Sequence, residues 1–181
     1  MSRHDAPSDP ADSQRRERLY ARASRDHGAA IARLARAVER NADGARDLEQ
    51  EIHLALWRSL DGYAGDCTVA TWTYRVAHNV AASHAARGAR SVRLETLDAI
   101  DTLAAPDNPE IAAGEAHVLA RLHQLIQRLR PDDRSVILLY LEGLSAPDIA
   151  DVTGLSKGNV GVKIHRVKSL LANHFAMGER P

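Results

Sequence analysis

Two stretches of helix-period apolar residues, separated by residues 88–109 that have no period, limit what this chain of 181 residues can become. In the first stretch Leu19, Ala23, Ala30, Ile31, Leu34, Ala35 and Val38 recur at spacings of three and four. Asn41-Ala42-Asp43-Gly44 interrupts that pattern. Leu48, Ile52, Ala55, Leu56 and Ser59 then line a second face, and Val69, Trp72, Val76 and Val80 a third. The spacing predicts helices over about 14–40, 45–60 and 69–86, with a loop at Asp61–Asp66. In the second stretch a helix is expected over 111–129. The next begins at Pro131, whose missing N–H is tolerated in a first turn. Val136–Leu141 forms its buried centre and Gly143 its end. No run alternates as a strand would. The chain is therefore expected to be all-α: two small helical domains joined by a flexible linker, the C-terminal one containing a helix-turn-helix. The boundaries read as a disordered 1–13, a first domain 14–92, an acidic linker 93–111 and a second domain 112–177.

Composition narrows the function classes. Aromatic residues are 4% of the chain, so the cores are built from Leu, Ile, Val and Ala. No apolar run reaches the ~18 residues of a membrane span, and the first residues lack the apolar segment of an export signal. A cytoplasmic protein without membrane insertion is expected. Cys67 is the one cysteine, which excludes an internal disulfide and a multi-cysteine zinc site; a passive small residue there is preferred to a redox switch. His78/His84 and His117/His123 are each six apart, so neither pair shares a helical face as ligands four apart would. No catalytic residue, metal site or cofactor is expected, and the chain does not read as an enzyme.

Lysine plus arginine and aspartate plus glutamate each total 24, but the balance is patterned. Residues 15–46 carry +5, 67–93 carry +4 and 156–181 carry +4, while 47–66 carry −4 and 94–119 carry −6. Separate basic patches divided by acids fit two weak nucleic-acid contacts that need a partner, rather than one protein that wraps nucleic acid alone. Solvated faces are the plainer reading of each patch.

The C-terminal region carries a more specific pattern. Ser145 caps a helix, with Asp148 three residues on, and Gly154 can take a left-handed turn. Ser156 caps the next helix. Ala150, Gly154 and Val160 have helix-turn-helix spacing: a small residue at the crossing, a turn glycine and an apolar anchor. Such a unit sets its second helix in a DNA major groove. Lys157, Asn159, Lys163 and Arg166 are the residues expected to face outward, able to pair with phosphates, guanine or adenine. Gly158 and Gly161 weaken that helix by about 1–2 kcal/mol relative to alanine.

In the first domain Asp47, Gln50 and Glu51 share a face opposite the apolar stripe. Thr71, Arg75, His78 and Asn79 cluster beside Tyr74, an arrangement suited to single-stranded nucleic acid. Each alone is weak. Together, Asp47-Leu48-Glu49-Gln50-Glu51, Leu56-Trp57-Arg58, Tyr63-Ala64-Gly65-Asp66 and Thr71–Asn79 resemble the second conserved region of bacterial sigma factors of the extracytoplasmic-function group. Residues 129–168, through Tyr140-Leu141-Glu142-Gly143-Leu144-Ser145 to His165-Arg166, are similar to the fourth region. The resemblance covers about 14–92 and 112–175 in the expected order.

The resemblance implies roles. Asp47, Gln50 and Glu51 would dock on the β′ clamp helices of core RNA polymerase, and the second domain would meet the β flap. Trp72, Tyr74, Arg75 and Asn79 would help open the promoter −10 element. A base-capturing loop maps loosely to 80–90. Lys157, Asn159, Lys163 and Arg166 would read the −35 element, and the acidic linker would run toward the RNA exit path. Promoter DNA is thus the implied ligand and an anti-sigma factor a further partner. Gly161 and Val162 stand where many relatives carry basic or hydroxyl residues, which implies either a low −35 affinity or an unusual −35 preference. Residues 80–86 are likewise plainer than the usual continuation. The competing reading is a free-standing helix-turn-helix regulator, which leaves the Asp47–Asn79 pattern unexplained.

Overall fold

A computed structural model describes residues 10–95 and 115–178, with side chains over 11–88 and 118–173. Seven α-helices occur among the described residues, and no strand: α1 (Pro10–Val38), α2 (Ala42–Ser59), α3 (Val69–Glu95), α4 (Glu115–Gln127), α5 (Pro131–Leu141), α6 (Ala146–Thr153) and α7 (Lys157–Gly178). The all-α expectation holds. The first domain is an α1–α2–α3 bundle and the second holds α4–α7. Most of the linker assigned to 93–111 lies outside the described residues, as do residues 1–9.

Helix ends differ from expectation for local reasons. Among the described residues α1 is helical from Pro10, so residues 10–13 of the segment expected to be disordered are helical. α2 starts at Ala42 because Asn41 is its N-cap: the Asn41 side chain accepts from the Asp43 N–H at 2.9 Å. The stretch 41–44 is thus a helix start as well as a break. Thr68 Oγ1 accepts from the Thr71 N–H at 3.0 Å and opens α3, which runs to Glu95 rather than stopping near Ala86. Arg134 donates to the carbonyls of Ile126 and Leu129, at 3.3 and 3.1 Å. It thereby satisfies the exposed C-terminal end of α4, two residues earlier than expected.

The first core joins Ala23, Ile31 and Ala35 of α1 to Leu48, Ile52 and Leu56 of α2 and Ala77 of α3. Trp72, Val76 and Val80, expected to be the buried stripe of α3, are only partly covered at its edge. The residues of α3 that are buried are Thr71, Thr73, Tyr74, Ala77 and Ala81. The reason is that α3 is packed from two sides: α1 and α2 on one, α6 on the other.

This second contact joins the two domains. Ala30 and Tyr74 share a core with Val136, Leu139, Ile149, Ala150, Val152 and Val160. Ala37 shares another with Ile126, Ile137 and Val167. Arg33 makes a two-pronged ion pair with Glu142 at 2.8 and 2.7 Å, and Gln127 Nε2 donates to the Arg36 carbonyl at 2.7 Å. Of the apolar run in α5, Val136, Ile137 and Leu139 are buried as expected, but Tyr140 and Leu141 face outward.

Candidate polymerase and promoter interfaces

The α6–α7 unit is built as the spacing requires. Ser145 Oγ accepts from the Asp148 N–H at 3.3 Å and donates to the Asp148 carboxylate. Gly154 has φ +73°, the left-handed conformation that turns the chain between the helices. Ala150 and Val160 are buried at the crossing. Ser156 Oγ accepts from the Asn159 N–H at 3.3 Å. The second helix of the pair is therefore held rigidly, with its outer face in solvent.

Lys157 and Asn159 lie exposed on α7, as expected. Lys163 and Arg166 are placed differently from the outward pair expected. Both cations close on Asp133 of α5, whose side chain is 5% exposed: Lys163 Nζ is 3.0 Å from Oδ1 and Arg166 Nη2 contacts Oδ2. Lys163 is itself 15% exposed, whereas Arg166 remains half exposed. A buried carboxylate needs such partners, so these two side chains hold α7 to α5 whatever else they touch. Sequence reasoning missed Asp133 because an acid beside Pro131 looks like an ordinary first-turn residue. Its partners are thirty and thirty-three residues away.

On α2, Asp47, Gln50 and Glu51 are all exposed and share one face. Glu51 is engaged by α3: Arg87 Nη2 donates to its Oε2 at 2.8 Å, and His84 Nδ1 is 3.9 Å from the same oxygen. His84 Nε2 lies 3.3 Å from Glu39 Oε2. The Asn41 N–H, then the His84 contact, favour the ionised Glu39 over the cost of burial and lower its pKa. Leu54 stands 49% exposed beside this acidic face, an apolar residue that the charge pattern did not single out.

The four residues assigned to the −10 element do not form one surface. At 100° per residue, Trp72, Arg75 and Asn79 follow one stripe of α3 and Tyr74 lies across the helix from Trp72. Trp72 Nε1 donates to Ser59 Oγ at 3.0 Å, and its ring packs edge-on against Tyr63 at 5.4 Å. Arg75 is partly buried, and Asn79 is exposed. Tyr74 is 7% exposed beneath the second domain, its hydroxyl 3.4 Å from His27 Nδ1. Burial pushes the Tyr74 hydroxyl pKa up to about 12. Thr71 is also buried, and burial lowers the pKa of His78 against the opposing pull of Asp132. Of the outer cluster expected around Tyr74, Thr71 is buried, Arg75 and His78 are partly buried and Asn79 is exposed. No cluster of side chains able to hold a metal ion occurs among the described residues. No described helix is long and apolar enough to cross a membrane.

Residues 24–91 match the family described as Sigma-70 region 2, and residues 119–171 match Sigma-70, region 4. The chain is 34% identical over 140 residues to the RNA polymerase sigma-H factor of Pseudomonas aeruginosa, a match spanning 72% of each protein. It is 32% identical over 155 residues to the ECF RNA polymerase sigma factor SigE of Mycolicibacterium smegmatis, covering 84% of this chain and 60% of that one. Among solved structures, the complex of the sigma factor RpoE with the anti-sigma factor NepR from Bartonella quintana matches in fold. Its TM-score is 0.65 at 21% identity, over 83% of this chain and 92% of that one.

Proposed function

The chain belongs to the extracytoplasmic-function (ECF) sigma factors of the sigma-70 family, and from that premise we propose that it binds bacterial core RNA polymerase in the cytoplasm and directs initiation at its own promoters. The observation that carries this reading is the ordered pair of modules. A three-helix unit with an exposed acidic face on α2 precedes a capped helix-turn-helix whose outer helix has no acid between 157 and 178. The protein supplies recognition and no catalysis of its own, since the chemistry of RNA synthesis belongs to polymerase.

The exposed faces support a division of labour. The face of Asp47, Gln50 and Glu51 docks on basic clamp helices of β′, with Leu54 as an apolar anchor at its edge. The Trp72–Arg75–Asn79 stripe and, once uncovered, Tyr74 meet the opened −10 strand. α7 enters the −35 major groove through Lys157 and Asn159, with Arg166 at its flank and Lys163 acting from its pair with Asp133. The second domain also contacts the β flap.

The two promoter elements lie about 25 base pairs apart, or about 85 Å along the duplex at 3.4 Å per step. Domains in which α3 packs on α6 cannot span that distance, so they part when polymerase fixes each one. Tethered contacts made after the first are intramolecular, which lets two weak modules act together. An anti-sigma factor that holds the closed pair would restrain the protein; a sigma factor of similar fold is seen in complex with an anti-sigma factor.

Run-off transcription with purified core polymerase and a promoter library tests the proposal. Transcripts that start only when the protein is added are expected. Changing Asp47 and Glu51 together to Lys should abolish core binding with helicity intact; normal binding by that variant would remove the acidic face from the interface. Tight operator binding without polymerase would favour a free-standing regulator instead.

A further inference from the structure

The outermost line of α7 is not basic. Taking the buried stripe Val160, Ile164, Val167 and Leu171 as the inner face, the opposite line runs through Gly158, Val162 and Ser169, with His165 beside it. Val162 is 67% exposed, the most exposed large apolar side chain among the described residues. It sits in a shallow groove with Gly161, His165, Arg166, Ser169 and Leu170. Glycine is the poorest helix former after proline, yet a Cβ added at Gly158 or Gly161 would meet nothing within 4 Å. Packing inside the protein therefore does not require either glycine. A missing side chain on an outer helix face permits close approach of a ligand to the backbone.

The chemistry of the surroundings selects the ligand. Lys157, Lys168 and the half-exposed Arg166 lie on a helix without acids over 157–178, a charge complement to phosphate on either side of a groove. Of the groups that base pairs present in a major groove, the thymine C5-methyl is the apolar one. Valine, branched at Cβ and restricted at χ1, offers two methyls in nearly fixed positions. We propose that Gly158 lets α7 approach the base edges closely and that Val162 then packs on a thymine methyl of the −35 element, making Val162 a specificity-determining residue. The inference rests on the reading of α7 as the −35 helix and goes beyond it by naming the group that is read.

The test uses the holoenzyme of core polymerase and this protein on its selected promoter. Each −35 thymine is replaced in turn by uracil, which removes the methyl and keeps every hydrogen-bonding group. One such replacement should lower promoter binding about fourfold, the loss of one buried methyl. Val162→Ala should lose a similar factor on the thymine promoter and show no further loss with uracil. Gly158→Ala should raise the thermal midpoint of the protein while weakening −35-dependent binding.

A −35 element without A·T pairs, or wild-type binding indifferent to uracil at every position, overturns the methyl contact. So does a Val162→Ala defect that leaves uracil sensitivity intact, which would place Val162 against protein. Undiminished −35 binding by Gly158→Ala overturns the close approach. Loss of all −35 dependence in the wild type would instead overturn the reading of α7 itself.

Discussion

At the scale of single residues, Asp133 shows how a side chain can be decisive without facing a ligand. Its carboxylate is shared by Lys163 and Arg166. Removing either cation leaves a buried acid short of a partner. Lys163→Ala should therefore destabilise the protein by about 1–3 kcal/mol, read as a lower urea midpoint at unchanged slope. A midpoint equal to wild type would show that the pair is not formed in solution. Asp133→Asn should free both cations for phosphate and steepen the salt dependence of promoter binding by up to about two units of slope. His78 supplies a pH signature. Burial lowers its folded pKa below the ordinary histidine value, so the unfolded chain binds more protons in the window between the two. Stability is thus fully present above about pH 6.5 and falls as the solution is acidified through that window. In His78→Gln this portion of the acid sensitivity should vanish when unfolding midpoints are compared across pH 5–8; identical pH profiles would contradict it.

At the scale of helices, existence was legible and extent was not. Leu48, Ile52 and Leu56 reveal α2 by period alone, and all three are buried. Its start was hidden because Asn41-Ala42-Asp43-Gly44 carries turn residues, and the same asparagine that ends one pattern caps the next helix. Asn41→Ala should cost about 1 kcal/mol, seen as reduced thermal stability of the first domain. The turn at Gly154 was legible, since the αL conformation after a short capped helix calls for glycine. Gly154→Ala should cost about 1–2 kcal/mol through backbone strain, because an added Cβ meets no neighbour within 4 Å. The burial of Tyr74 was not legible. Beyond Ala30, its buried apolar partners begin at Val136, on the far side of a stretch without period, and no local pattern announces a contact of that range. The division of the expected −10 residues between two sides of α3 was legible, since Trp72 and Tyr74 are two positions apart on a helix of 100° per residue.

At the scale of the whole molecule, the two domains meet through apolar contact around Tyr74 and Ile149 and through the Arg33–Glu142 pair. Arg33 is about half exposed, so the pair by itself contributes ~1 kcal/mol or less, and the apolar contact carries most of the closure. Arg33→Glu sets like charges together and should raise the radius of gyration in small-angle X-ray scattering. Arg33→Glu combined with Glu142→Arg should bring it back. A double variant as expanded as the single one would show that this contact does not form in solution. Two domains could be inferred from the gap in the apolar pattern; their packing against one another could not, since it depends on surfaces that look merely half-apolar when each helix is read alone.

The placement of the large aromatics has a practical consequence. Trp57, beneath the Arg16 guanidinium at 4.6 Å, and Trp72, hydrogen-bonded to Ser59, both belong to the α1–α3 unit, and the sequence has no other tryptophan. Indole fluorescence is consequently a natural dye for that half and blind to α4–α7. Followed beside circular dichroism during denaturation, it would reveal whether the halves melt on one schedule or on two.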